Sequence, residues 1–251
     1  MPLLTVAPAR LAAGPQVDAG SAALFLDFDG TLAPIAPRPE DVRPDPELNA
    51  LLAALRARLE GRLAVVSGRT VEALDRLTGS AVPCLAGVHG LELRHGDGRL
   101  QRAEPPEGLS EVLEAFQRFA ASAPGSLVEN KALGVTLHYR LAPERAEAAR
   151  ALAAELADRH GLVFQPGDMV AELRAPGSDK GAAVRAFMEG PPFRGARPVF
   201  VGDDLTDEHG FETAIALGGL GVLVGRERPT AATGRLADTT AVRAWLETLA
   251  R

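Results

Sequence analysis

The chain has 251 residues, 46% apolar and 24% charged, the balance of a soluble globular protein long enough to bury its own core. Its formal net charge of −6 argues against nucleic acid as the main partner, because duplex binding draws on surplus Lys and Arg. No run of about 18 apolar residues marks a membrane span, and a single cysteine, Cys84, excludes an intramolecular disulfide or a cysteine-rich metal site.

Residues 1–20 are rich in Ala, Pro and Gly and read as a loose lead-in. They lack the basic-then-apolar pattern of a secretory signal, so the cytoplasm is the expected compartment. Residues 22–27 form an apolar run that predicts a buried strand ending at Asp27 and Asp29. A helix is predicted over 46–59, with Asp45 as N-cap and Pro46 in its first position. Residues 62–66 predict a second strand. The turn Ser67-Gly68-Arg69 then leads into a helix capped by Thr70. A third strand over 82–86 ends at Gly87-Val88-His89-Gly90, and 91–102 predicts a hairpin around His95-Gly96-Asp97-Gly98.

The pattern changes after the breakers at 104–108. A helix over 109–121 precedes two strand-like runs, 126–131 and 134–140. A long helix over 143–159 precedes two more, 162–165 and 169–174. After Ala175-Pro176-Gly177 the alternation resumes: helix 178–188, strand 198–202, helix 206–215 capped by Thr206, strand 221–224, and helix 239–249 capped by Thr239 or Thr240. The expected fold is α/β. A Rossmannoid parallel sheet core (1–105 and 176–251) carries an inserted α+β domain (106–175), with the breakers as hinges.

In open parallel sheets, ligands bind beyond the carboxyl ends of the strands. Here those ends carry Asp27 and Asp29, then Ser67, then His89, then Asp203, Asp204, Asp207 and Glu208. Carboxylates gathered at one edge repel unless a cation sits among them, and oxygen donors without a His or Cys cluster suit Mg²⁺. Only two of the 27 basic residues are lysines, Lys131 and Lys180. Lys180 opens a helix, where a cation opposes the macrodipole, so it calls for an acid or a phosphate nearby. Each motif also has a plain reading as an Asx turn, a helix entry or a cap.

The motifs "DFDGT" (27–31), Ser67, Lys180 and "GDDLTDE" (202–208), in that order, resemble the haloacid dehalogenase superfamily of phosphohydrolases. The resemblance implies an Asp27 nucleophile and Asp29 as general acid/base. Thr31, Ser67, Gly68 and Lys180 would lie at the phosphate. Mg²⁺ would bind Asp27, Asp203 and the backbone carbonyl of Asp29, with Asp204 and Asp207 behind it. Gly30 would let the backbone turn tightly beside the phosphate.

The stretches "SGR" (67–69), "GVHGLE" (87–92), "VENKALGVTLHYR" (128–140) and "ELRAPGSDKG" (172–181) resemble the trehalose-6-phosphate phosphatase family. That resemblance places Glu129, Lys131 and Glu172 on the sugar, with His89, His138 and Arg140 as further candidates. It implies the final, phosphate-releasing step of trehalose biosynthesis, and the partner would be a small sugar phosphate. Val88 departs from the Asn that related sequences often carry. A phosphatase for sucrose or glucosylglycerol phosphate, a phosphosugar mutase and a non-catalytic sensor are the alternative readings. Nothing in the sequence sets the oligomeric state, and a monomer is the default expectation.

Overall fold

A computed structural model describes residues 12–251. The first eleven positions of the expected lead-in lie outside the described residues. In chain order the elements are β1 (Ala12–Ala13), β2 (Ala22–Leu26), α1 (Pro46–Arg58), β3 (Leu63–Val66), α2 (Val71–Leu77), β4 (Cys84–Gly87), β5 (Glu92–Arg94) and β6 (Leu100–Arg102). Next come α3 (Leu109–Ser122), β7 (Leu127–Asn130), β8 (Gly134–His138), α4 (Ala146–His160), β9 (Val163–Gly167) and β10 (Val170–Arg174). The chain ends with α5 (Lys180–Met188), β11 (Arg197–Gly202), α6 (Glu208–Ala216), β12 (Leu220–Val224), β13 (Gly234–Leu236) and α7 (Thr239–Leu249).

A nine-stranded sheet runs β1-β13-β12-β11-β2-β3-β4-β5-β6. Its pairs are parallel from β1 to β4, and β5 and β6 are added antiparallel. β2 is buried on both faces, which is why its sequence is a continuous apolar run with no alternation. Leu24 and Leu26 pack with Leu48, Leu52 and Leu55 of α1, Leu74 of α2 and Val242 and Leu246 of α7. Ala23 and Phe25 point the other way, into a layer with Val184 and Phe187 of α5 and Phe211 of α6. From β2 the chain first builds β3 and β4 on one side and later returns on the other through β11 and β12. A crevice therefore opens at the carboxyl end of β2, where the connections diverge.

A second sheet, β7-β8-β10-β9, is antiparallel throughout. It has its own core, in which Val135, Leu137, Ala171 and Leu173 pack against Val112 and Phe116 of α3 and Ala149, Ala153 and Leu156 of α4. Alternation along the strands turns the other residues to the opposite face. The register aligns Glu129, Thr136, Glu172 and Gln165 in one row across that face. Both connections between the sheets pass a small apolar cluster, with Val88 and Leu91 from the first unit, Leu133 from the second, and Ala103 and Ala175 from the connections.

Several local expectations are corrected. Residues 12–13 pair with β13, a strand the sequence reading missed, and Trp245 Nε1 donates to Pro15 O at 2.9 Å. Part of the expected loose lead-in is thus docked on the sheet. The helical turn expected to start at Thr206 is capped by Asp204, whose side chain accepts from the Leu205 N–H at 2.6 Å. The last helix is capped by Asp238, which accepts from the Ala241 N–H at 2.8 Å, and both threonines lie inside it. No helix among the described residues is long and apolar enough to cross a membrane.

The capping geometry is directly testable. Asp238→Ala should cost about 1 kcal/mol, the usual worth of an N-cap, whereas Thr240→Ala should be near neutral. Urea unfolding followed by circular dichroism reads both, and a larger loss from Thr240→Ala would contradict the assignment.

Candidate active site

The carboxyl ends of four adjacent strands deliver the reactive groups. Asp27 and Asp29 follow β2, Asp203 and Asp204 follow β11, Ser67 follows β3 and His89 follows β4. The polar face of the second sheet lies over them. Together they line a cavity of about 360 Å³ that includes Asp27, Asp29, Ser67, Gly68, His89, Lys180, Asp203 and Asp204 from the first unit. Glu129, Lys131, Thr136, His138, Arg140 and Glu172 line it from the second.

At the floor, Lys180 Nζ lies 2.9 Å from Asp27 Oδ1 and 2.6 Å from Asp207 Oδ1, and all three side chains are buried. Asp179 caps α5 by accepting from the Ala182 N–H, and this sets Lys180 in the first turn. The macrodipole penalty there is offset by the two carboxylates. Burial disfavours the charged ammonium, but Asp207 and Asp27 outweigh it and hold Lys180 well above its ordinary pKa. Asp27 is pushed well above the carboxylate range by burial. Lys180 opposes that shift, and the Asp207 and Asp203 charges add to it. Burial and Asp207 likewise push Asp203 up to about 7.

Asp27, Asp203 and Asp207 each offer an oxygen within 4.8 Å of the others. A set of three carboxylates in which Asp27 and Asp203 have raised pKa values is short of positive charge, which fits a hard divalent cation. Asp207 is already occupied, since Oδ1 faces Lys180 and Oδ2 accepts from the Asp204 N–H at 2.9 Å. Gly30, at φ +83°, lies so close to Asp203 that an added Cβ would fall 2.1 Å from its Oδ2. Only glycine lets the turn press against that carboxylate, so its close neighbour here is Asp203.

Asp29 is gripped by Arg69, which donates from Nε at 2.6 Å and from Nη2 at 2.7 Å. Ser67 lines the cavity and its Oγ accepts from the Arg69 N–H at 3.2 Å. Thr31, expected at the phosphate, is fully buried and does not line the cavity; its hydroxyl donates to Asp203 Oδ1 at 3.2 Å. The tight turn after Phe28, whose carbonyl accepts from Leu32 and Ala33, carries Thr31 beneath the surface. Asp204 reaches the cavity rim while capping its turn. Glu208 turns away from the cluster, accepting from Arg228, Thr230 Oγ1 and Ala231 N–H.

On the opposite wall, Glu172 is held between two cationic or donor groups: Lys131 Nζ at 3.2 Å and His89 Nε2 at 3.0 Å. Burial by itself would raise the Glu172 pKa, but Lys131 and His89 hold it well below the usual range. Burial lowers the His89 pKa, so the ring is neutral near pH 7 and donates from Nε2. Glu129 accepts from His138 Nε2 at 2.9 Å and lies 4.0 Å from Lys131. Arg140 sits at the rim, paired with Asp168 at 2.9 Å. His89 links the units, since it leaves the end of β4 and bonds Glu172 of β10. Arg69, Thr136, Asp168 and the segment 35–39 also line the cavity and were not singled out in the sequence.

Comparisons with known proteins show the family. The trehalose-phosphatase family matches residues 25–239. A probable trehalose-phosphate phosphatase of Sinorhizobium fredii is 39% identical over 94% of this chain and 90% of its own. Trehalose-6-phosphate phosphatase of Escherichia coli is 38% identical over 90% of this chain and 85% of its own. The crystal structure of a trehalose-6-phosphate phosphatase related protein, 30% identical, superposes with a TM-score of 0.72 over 92% of this chain and 97% of that one. The C-terminal domain of the C. albicans trehalose-6-phosphate phosphatase, at 24% identity, shares the fold with a TM-score of 0.83 over 97% of this chain and 99% of that one. The chain is a phosphatase and belongs to the trehalose-phosphatase family.

Proposed function

We propose that the protein hydrolyses trehalose 6-phosphate to trehalose and phosphate through an aspartyl-phosphate on Asp27. The observation that carries this reading is the shared cavity. One end holds the Asp27–Lys180–Asp203 cluster and the other the Glu129, Lys131 and Glu172 group. The first suits a phosphoryl group and the second a polyhydroxylated sugar, whose hydroxyls both accept from ammonium and donate to carboxylates. The family membership and the named relatives point to the same substrate.

In this reading residues 106–175 form a cap that selects the sugar, while the core runs the chemistry. Mg²⁺ would be held by Asp27, Asp203 and the Asp29 carbonyl, and would supply charge neutralisation when bound. Asp27 attacks phosphorus. Lys180, fixed against it, offsets the negative charge that would otherwise repel a phosphate dianion. Ser67 and the Gly68 backbone lie just before the α2 N-terminus, a favourable place for phosphate oxygens. Asp29 gives a proton to the leaving sugar oxygen and then takes one from the water that hydrolyses the intermediate. Glu129, Lys131 and Glu172 orient the sugar, with His89 holding Glu172 in place and the cap closed over the core to exclude bulk water.

Phosphate release from a panel of trehalose, sucrose, glucosylglycerol and glucose phosphates tests the substrate. Preference for trehalose 6-phosphate is expected, and equal rates across the panel would refute the assignment. Asp27→Asn should abolish turnover on every member of that panel; retained activity would remove Asp27 as nucleophile.

Glu129→Gln and Glu172→Gln should lower kcat/KM for trehalose 6-phosphate by about 10–100-fold, the range of a lost charge-assisted contact. They should leave p-nitrophenyl phosphate nearly unaffected. Equal losses on both substrates would move these residues out of the sugar site.

Metal dependence is readable without turnover. Asp27 and Asp203 have raised pKa values in the folded state. Their contribution to stability is therefore complete below the unfolded carboxylate pKa and is lost as pH rises through the folded values. Chelated protein should melt lower at pH 8 than at pH 6.5. Below that window the neutral buried His89 works in the opposite sense. Because metal and protons compete for the same oxygens, Mg²⁺ should raise the melting temperature more at pH 8 than at pH 6.5. An equal increase at both would argue against this site.

A further inference from the structure

Arg69 has no part in the mechanism above, yet it holds one of its two acids. Nε donates to Asp29 Oδ2 at 2.6 Å and Nη2 to Oδ1 at 2.7 Å, a two-point pair that sets the position and the plane of the carboxylate. The Arg69 side chain is 12% exposed and that of Asp29 34%, so the guanidinium is largely withdrawn from water while the carboxylate keeps a face open to the cavity. Nη1 donates to Pro39 O at 3.2 Å, and the guanidinium lies 5.8 Å from the centroid of Phe28, the residue between Asp27 and Asp29. The Arg69 N–H, finally, donates to Ser67 Oγ. The Arg69 side chain thus ties the catalytic turn to the segment at Pro39, and its backbone N–H adds the phosphate turn. A lysine could not do this, since it lacks the planar fork.

We propose that Arg69 is a positioning residue that holds Asp29 as the proton acceptor for breakdown of the aspartyl-phosphate. A carboxylate has about four lone-pair sites, so two remain after the guanidinium has taken two. In the step itself the water oxygen bonds to phosphorus and the bond from phosphorus to the Asp27 oxygen breaks. The electron pair returns to the Asp27 carboxylate, and the water proton passes to Asp29. Arg69 takes no proton; it fixes the direction from which Asp29 accepts one. The inference rests on the aspartyl-phosphate mechanism proposed above.

The test follows the intermediate directly. The full chain, with Mg²⁺, is charged from radiolabelled p-nitrophenyl phosphate, chased with unlabelled substrate and quenched in acid at intervals. In Arg69→Ala the decay of protein-bound label should slow by about 100-fold, within the span of general-base catalysis. The initial burst of nitrophenolate should keep its rate within a few-fold. Arg69→Lys, which retains the charge but not the fork, should fall between wild type and Arg69→Ala. If Arg69→Ala does not fold, Arg69→Gln carries the comparison. Decay at the wild-type rate, or formation and decay slowed equally, would overturn the role. Asp29→Asn separates the two levels. If its decay is unchanged, the proton-acceptor role of Asp29 fails and the mechanism with it. If Asp29→Asn slows decay and Arg69→Ala does not, only the Arg69 inference fails.

Discussion

The rest of the structure is arranged around one buried ammonium between two buried carboxylates. Lys180, Asp27 and Asp207 are almost wholly withdrawn from water. Leaving any one of them unpaired would cost several kcal/mol. The arrangement needs β2 beside β11, so that the residues after each strand can face one another. It also needs α5 to start where the ammonium can reach both acids, and α5 to pack closely on α6. Gly181 permits that packing, because an added Cβ would fall 2.4 Å from both His209 O and Thr213 Oγ1. Even with Lys180 present, the acids around it outnumber it, and this imbalance is what suits the site to a further cation.

Polar and apolar contacts join the second unit to the first. His89 bonds Glu172 across the gap, and the apolar cluster at Val88, Leu91, Leu133, Ala103 and Ala175 joins the two connections. Val88 and His89 both adopt left-handed backbone, with φ of 47° and 55°. That is a costly conformation for a β-branched residue, of order 1–3 kcal/mol. It turns the Val88 side chain into the apolar cluster and the His89 ring toward Glu172. Val88 contributes apolar burial, and its neighbour His89 bonds Glu172.

How legible all this was depends on the range of the interactions. Strands buried on both faces, the helix that opens at Pro46 and the break in pattern near residue 105 are local signals that the observed elements follow, whereas Pro143 opens a separate 3-10 turn and α4 starts at Ala146. Caps were harder to read. Asp204 and Thr206, or Asp238 and Thr239, are equally good N-caps by composition, and only the course of the chain selects between them. β13 is three residues long and pairs on both sides with strands distant in sequence, so its own composition gave little sign of it. Thr31 looked like a phosphate contact from its place in the motif, but the tight turn after Phe28 carries it under the surface to Asp203. Arg69 stands in the Ser67-Gly68-Arg69 turn, and its partner is not legible there. One arginine among 27 basic residues carries no mark of its partner, and Asp29 lies forty positions away.

The sequence by itself determined the chemistry on offer: an acid pair after a buried strand, a rare lysine opening a helix, a run of acids after another strand, and a sheet face bearing Glu and Lys. These follow from residue type, burial preference and the periods of helix and strand, which are written locally. Tertiary structure alone decided which acid each cation holds. Lys180 is shared by Asp27 and Asp207, Asp29 is taken by Arg69, and Glu172 is held from both sides by Lys131 and His89. Those choices depend on sheet order and on how two separately built sheets face each other, because ion pairing in a buried site is a matter of a few ångströms between residues far apart in the chain.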